Sequence, residues 1–452
     1  MHTYGDLPKP AAYGILLLFS LYVALYHALF GWCIGWLRRK FSRQAILWLA
    51  PFVWVAVELG RARITGFPWD LLGYTQVDNL TLSRLAPWTG VMGLSFLVAA
   101  VNSVWLMRGP AARSNRAIYG PVTAVVVVAI FTFLGAHLWT AENTDVDSTA
   151  VLLQENLKVG AEATASPETK DQMLAAFDEL SLHPTAVPLS PDGKPAIPAA
   201  LLSAKPRIIA WPEAPADFFD ADPEFRQSMG ALAIQTKTPV IANVVAFASR
   251  NPNGHNNQYN SAVFFLADGS YAGRYDKMRL VPFGEYTPYK PLFFFAGHLL
   301  DDLLFVPGES RRMFTADGKR YGVFICYESI FGDDIRHFAD DGAEVLVNIS
   351  DDGWYGDSSA PWEHLDMVRM RAIENDRWVV RATNTGITAS IDPMGRIRAA
   401  IPRHIRGSML AGFSYRDDLT FYTRFGDWVG WVCALVTITG IGFGLARRRE
   451  VH

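Results

Sequence analysis

In this chain of 452 residues half are hydrophobic, 19% are charged and 14 are Trp, a composition more apolar and aromatic than that of an ordinary soluble protein. The formal net charge of −3, with no Lys/Arg stripe interleaved with aromatics, excludes a nucleic-acid partner. Three cysteines, two of them inside apolar runs, cannot build a disulfide framework, and the ten His show no metal-ligand spacing such as His-Glu-x-x-His, so no metal and no cofactor are expected.

Apolar runs crowd both ends of the chain. Five are expected to span a membrane, at residues 13–37, 44–59, 85–107, 119–140 and 425–446. Crossing about 30 Å of hydrocarbon takes roughly 20 helical residues, so four qualify outright and the second is short. Charges collect at their ends, and Trp and Tyr flank them as at a membrane interface. The first run is too long for a signal peptide, and residues 1–10 lack a positive cluster. Arg38, Arg39, Lys40 and Arg43 follow the first run, Arg108, Arg113 and Arg116 the third, and Arg447, Arg448 and Arg449 the last. Basic ends stay in the cytoplasm, which puts 61–84 and 142–424 outside.

Between the spans, short β-rich runs at 150–154, 207–211, 240–246, 261–266, 321–326, 344–349 and 378–383 are separated in places by helical patterns, notably at 169–182, 223–236 and 362–376. Such interleaving predicts an α/β domain with a largely buried sheet. Residues 183–206 carry Pro184, Pro188, Pro191, Pro195, Pro198 and Pro206 and read as an extended surface loop. The expected division is a transmembrane region at 1–141, an extracytoplasmic domain at 142–424, and a final span with a basic tail at 425–452.

Three stretches of the middle domain hold residues able to do chemistry at or just after strand ends, where open α/β sheets place ligands. Arg207-Ile208-Ile209-Ala210-Trp211-Pro212-Glu213 delivers a carboxylate, although Glu213 alone could simply cap a turn. The run from Gly273 to Tyr286 holds Lys277 and Glu285, each of which could be a solvated charge. Tyr321-Gly322-Val323-Phe324-Ile325-Cys326-Tyr327-Glu328 ends a strand on a lone thiol, which could be a buried structural Cys. Together, Cys, Glu and Lys are the parts of acyl transfer through a thioester: a carboxylate takes the thiol proton, and an ammonium favours the thiolate and the oxyanion. No Gly-x-Ser-x-Gly elbow supports serine chemistry instead.

The order Trp-Pro-Glu, Lys-x-x-Leu-Val-Pro-Phe-Gly-Glu-Tyr and Cys-Tyr-Glu resembles the nitrilase superfamily, specifically its membrane branch, the apolipoprotein N-acyltransferases. Gly66-Phe67-Pro68-Trp69 with Gly73-Tyr74, the run from Asn348 to Asp357, and Arg381-Ala382-Thr383-Asn384-Thr385-Gly386 add to the resemblance. It implies a nitrilase-like αββα sandwich held by about five membrane helices in a bacterial cytoplasmic membrane. It also implies Glu213 as general base, Lys277 as stabiliser of oxyanion and thiolate, and Cys326 as nucleophile. Glu285 would support Lys277, Tyr327 and Glu328 would shape the pocket beside the thiol, and Trp69 and Tyr74 would serve substrate binding. The implied reaction moves an acyl chain from a glycerophospholipid to Cys326, and then to the α-amino group of a lipoprotein's diacylglyceryl-cysteine. A membrane-tethered amidase acting on a small amide and a non-catalytic lipoprotein-binding relative are the alternatives. Asp352-Gly353-Trp354-Tyr355, and Glu363 where a Gln is common, depart from the family wording. The family commonly has eight spans, so parity implies that the first three are lacking here and that Met1 lies outside.

Overall fold

The computed structural model describes residues 8–107, 145–160, 169–186, 197–213, 218–250, 256–287 and 305–446. Among these, four helices are long and apolar enough to cross a membrane: Lys9–Leu37, Arg43–Arg63, Ser83–Leu106 and Trp428–Ala446. The run at 44–59 that looked short is part of a 21-residue helix, about 32 Å at 1.5 Å per residue, opened by the Ser42 hydroxyl accepting the Ala45 N–H. The expected span at 119–140 lies outside the described residues.

The third of these spans is built on the helix Ala86–Met107, which is broken at Gly90 (φ 63°, ψ −177°). Below the break a new helix begins, and its first free N–H, that of Val91, is taken by Glu374 Oε1 at 2.8 Å. A carboxylate at a helix N-terminus is favoured by both the hydrogen bond and the helix dipole. A Cβ at position 90 would stand 2.4 Å from the Tyr422 ring, so only glycine suits both the backbone and the packing.

The remainder is a four-layer α/β/β/α sandwich. One sheet has the order β12-β1-β2-β3-β4-β5 and the other β11-β10-β9-β8-β7-β6. The strands are β1 Ser148–Gln154, β2 Ile208–Ala210, β3 Val240–Arg250, β4 Asn256–Phe265, β5 Tyr271–Asp276, β6 Met313–Ala316, β7 Lys319–Ile325, β8 Val345–Ser350, β9 Val379–Thr383, β10 Thr388–Ile391, β11 Ile397–Ile401 and β12 Gly407–Phe413. β1, β2 and β3 run parallel, as do β7, β8 and β9, and the flanking strands pair antiparallel.

Alternation along the strands sorts the core. Ala150, Leu152, Ile208, Ala210, Ile241, Ala262 and Phe264 face the second sheet, where Phe264 stacks on Phe314 at 4.8 Å. Val151, Leu153, Ile209, Val240, Ala242, Val263 and Phe265 face the outer helices Lys170–Leu182 and Pro223–Thr236. With both faces covered, these strands read as nearly continuous apolar runs. The first helix opens with a Thr169 capping box, and the second with the Asp222 side chain followed by Pro223.

The helix Ala360–Asn375 has two apolar faces. Leu365, Val368 and Ala372 pack on the sandwich, while Met367, Met370 and Ile373 join Val55, Leu59, Tyr74, Met92 and Cys433 of the span region in one cluster. This helix therefore belongs to both halves of the molecule. Arg63 fastens the same junction, with one guanidinium nitrogen 2.6 Å from Asp333 and another 2.7 Å from Asp427. Of the Pro-rich stretch, residues 187–196 lie outside the described residues, and the described part contains a one-turn helix, Ala199–Leu202, rather than extended chain alone.

Candidate active site

Glu213, Lys277 and Cys326 sit just past the carboxyl ends of β2, β5 and β7. The strand read as ending on the thiol stops one residue earlier, at Ile325, and Cys326 opens a short 3₁₀ turn, Cys326–Ile330, with φ +48°. A left-handed backbone at a non-glycine residue costs of order 1–3 kcal/mol and is held only where neighbours over-determine it. The turn swings the side chain off the sheet and toward the other two groups.

Lys277 is 1% exposed, and its ammonium lies 3.2 Å from Glu213 Oε1 and 2.9 Å from Glu285 Oε1. Burial alone would strip its proton, but the charges of Glu213 and Glu285 outweigh that and hold it well above the ordinary lysine value. Asn260 Nδ2 donates to the same two carboxylates, at 2.7 Å to Glu213 and 2.8 Å to Glu285. Glu213 Oε2 accepts the Asp351 N–H at 3.1 Å, and Glu285 Oε2 the Val281 N–H at 2.7 Å. Each carboxylate is thus fixed by one backbone amide, and the two share one amide side chain and one cation.

The Cys326 thiol is pushed well above its ordinary value by burial and by the Glu213 charge, against the pull of Lys277. The resting group is therefore a thiol, which could act as a nucleophile only with a base to take its proton. Ser350 adds to the pull of Lys277. The Ser350 hydroxyl gives its own proton to Asp352 Oδ1 at 2.8 Å.

Glu328 is 2% exposed and spends its carboxylate on backbone and phenol: Tyr275 OH at 2.6 Å, Met278 N–H at 2.7 Å, Arg279 N–H at 3.3 Å and Ile325 N–H at 2.7 Å. It clamps the Lys277 loop to the cysteine turn. Tyr327 packs on Phe331 at 5.4 Å and joins the cluster shared with the spans. The Trp69 ring stacks on His364 at 5.8 Å and meets the edge of Tyr355 at 5.6 Å, with its indole N–H 2.8 Å from Glu363 Oε2. The Tyr74 hydroxyl accepts from Arg371 at 2.9 Å. It lines a cavity of about 160 Å³ together with Arg63, Asp333, Arg371 and Asp427. That lining contains none of Glu213, Lys277 and Cys326.

Asn260 escapes the sequence reading, and Ser350 and Asp351, inside the run from Asn348 to Asp357, carry no role there. All three are short polar residues inside or at the end of strands, and only their zero to 9% exposure marks them.

The chain matches the carbon-nitrogen hydrolase family over residues 145–413 and the apolipoprotein N-acyltransferase N-terminal domain over residues 1–104. An apolipoprotein N-acyltransferase of Geobacter metallireducens is 34% identical over 463 residues, covering 100% of this chain and 83% of the relative. One of Methylococcus capsulatus is 32% identical over 462 residues, covering 100% and 84%. Among solved structures, an amidase from Nesterenkonia sp. matches with a TM-score of 0.41 at 15% identity, over 62% of this chain and 93% of that one.

Proposed function

The chain belongs to the carbon-nitrogen hydrolase family and, within it, to the apolipoprotein N-acyltransferases, membrane enzymes of lipoprotein maturation, and from that premise we propose that it works through a Cys326 thioester drawn from a glycerophospholipid. Glu213 takes the Cys326 proton as Sγ attacks an ester carbonyl, and Lys277 meets the developing oxyanion. The tetrahedral intermediate collapses, and the lysophospholipid leaves with the proton from Glu213. In the second half the α-amino group of a diacylglyceryl-cysteine attacks the thioester, Glu213 takes the amine's proton, and the sulfur leaves and is reprotonated.

The observation that carries this reading is the close pairing of Lys277 with Glu213 at 3.2 Å beside a buried thiol whose ionisation responds to both charges. The catalytic portion is 142–424, the spans on either side hold it at the outer face of the cytoplasmic membrane, and the diacylated lipoprotein and the phospholipid both reach it from the bilayer. Both substrates carry their reactive groups near the headgroup layer, which gives the membrane attachment its chemical purpose.

Incubating the purified protein with phospholipid and no acceptor leaves a hydroxylamine-labile acyl group on Cys326, and Cys326→Ala carries none. Acylation of a serine, or turnover by the alanine variant, overturns the assignment. For the side of the membrane, a cysteine placed at the exposed Thr315 reacts with an impermeant maleimide in intact spheroplasts. Labelling only after lysis puts the domain in the cytoplasm.

A further inference from the structure

The acyl transfer described above leaves one fully buried histidine without a task. His364, on the helix Ala360–Asn375, is 0% exposed, as are Asp352 and Arg381 beside it. Its Nδ1 lies 2.8 Å from Asp352 Oδ1, and Asp352 Oδ2 accepts from Arg381 at 2.6 Å. Burial works against the charge of Asp352, but Arg381 and His364 outweigh it and hold this carboxylate well below the usual range. An ionised carboxylate only accepts, so the ring carries a proton on Nδ1. On the other side, Nε2 lies 2.6 Å from Ser329 Oγ and 3.1 Å from the Cys326 carbonyl oxygen. With its proton on Nδ1 the ring offers Nε2 as acceptor to the Ser329 hydroxyl, so His364 holds the cysteine turn at its fourth residue while touching the carbonyl of its first.

The contacts run from the cysteine turn into the second sheet. Ser329 bonds His364, His364 bonds Asp352, and Asp352 accepts from Ser350 and Arg381. This run of contacts supplies the local over-determination that the left-handed Cys326 backbone requires. Within it, His364 touches the loop between two spans: its face is covered by the Trp69 ring at 5.8 Å and an interplanar angle of 14°. Trp69 sits in the connection between the spans Arg43–Arg63 and Ser83–Leu106, and its N–H is held by Glu363, the chain neighbour of His364.

We propose that His364 is a positioning residue through which the Trp69 loop sets the Cys326 turn, so that docking of this loop against the catalytic portion and competence of the nucleophile are coupled. Without the grip the turn relaxes toward an unstrained backbone and Sγ leaves its place beside Glu213 and Lys277. The proposal rests on Cys326 being the nucleophile.

The test is a double-mutant cycle on the full-length protein in detergent, reading the single-turnover rate of Cys326 acylation by phospholipid and the half-saturating phospholipid concentration. His364→Asn, whose amide reaches Asp352 but not the cysteine turn, slows acylation at least about thirtyfold, within the range expected for a misplaced reacting group. Half-saturation stays within about twofold, because the grip acts on orientation rather than on substrate binding. His364→Gln, whose amide oxygen can accept from Ser329 at the Nε2 position, recovers about tenfold or more of that loss. Trp69→Ala is slow by itself but costs no more than about twofold further in the His364→Asn background, since coupled residues do not act independently.

Multiplicative losses, a Gln variant no better than Asn, or an effect confined to half-saturation overturns the coupling. If His364→Asn does not fold, Ser329→Ala replaces it in the cycle, with the same expected non-additivity and the same overturning result. Acylation persisting in Cys326→Ala removes the nucleophile assignment, whereas multiplicative rates in protein acylated on Cys326 remove only the coupling.

Discussion

Lys277 Nζ lies nearer to Glu285 (2.9 Å) than to Glu213 (3.2 Å). The ammonium charge is thereby shared with a carboxylate whose other oxygen is tied to the Val281 N–H. Glu213 therefore shares this ammonium instead of holding it alone, and its own second oxygen is tied to the Asp351 N–H.

Removing the cation tests that division of labour. Lys277→Ala loses at least about a hundredfold in the rate of thioester formation, the scale of one oxyanion donor. Glu285→Ala frees Lys277 to close fully on Glu213, and its rate falls by about tenfold or more, while Glu285→Gln, which keeps an acceptor, falls less. A Lys277→Ala enzyme with near-normal thioester formation removes Lys277 from the mechanism.

Two buried carboxylates give the fold a pH dependence. Burial pushes Glu328 up to about 7, despite the four donors it accepts, and it pushes Glu374 up to about 7 against the pull of Arg371 and the Val91 N–H. Raised folded-state values mean that the stability contribution is complete below the unfolded value of 4.5 and is lost as pH rises through about 7. Each group accounts for a loss of about 3 kcal/mol over that window. The unfolding midpoint in detergent is therefore higher at pH 5.5 than at pH 8, and Glu374→Gln flattens the slope. A midpoint that climbs with pH contradicts the assignment.

Arg63 joins three elements with one guanidinium, binding Asp333 and Asp427 through separate nitrogens while 31% of its side chain stays exposed. Arg63→Ala lowers stability by about 1–3 kcal/mol, between the values of exposed and buried pairs. Arg63→Lys does not restore it, because an ammonium cannot reproduce the planar fork. Restoration of the unfolding midpoint by lysine reduces the contact to simple charge.

Gly90→Ala meets two penalties at once, a Cβ 2.4 Å from the Tyr422 ring and a φ of +63°. The expected loss is about 2 kcal/mol or more. Tyr422→Ala in the same chain recovers the steric share and leaves the backbone share. If Gly90→Ala alone shows no shift in the unfolding midpoint, the break in this helix is not built into the fold.

The three strand-end motifs were readable because each packs its chemistry into a few consecutive residues: Trp211-Pro212-Glu213, Lys277 to Glu285, and Cys326-Tyr327-Glu328. The central strands were readable from their continuous apolar runs. β5, with Arg274 and Asp276 and only every other residue buried, lies at a sheet edge and looked like mixed loop, and β12 was masked by Gly407 and Gly412. Asn260 and His364 gave no local signal, since a lone Asn in a strand and a lone His on a buried helix are ordinary core residues in sequence. Their hydrogen-bond partners lie 12 to 47 positions away and meet them only in the folded chain.

The Glu374 carboxylate on the Val91 N–H has a practical consequence for chimeras. A half-helix inside the span region is finished by a side chain from the far end of the enzyme, so the two portions are not interchangeable parts. Exchanging spans 1–104 with those of a relative leaves the donor or the acid without its mate unless both sides of that contact travel together, along with Gly90 and Tyr422.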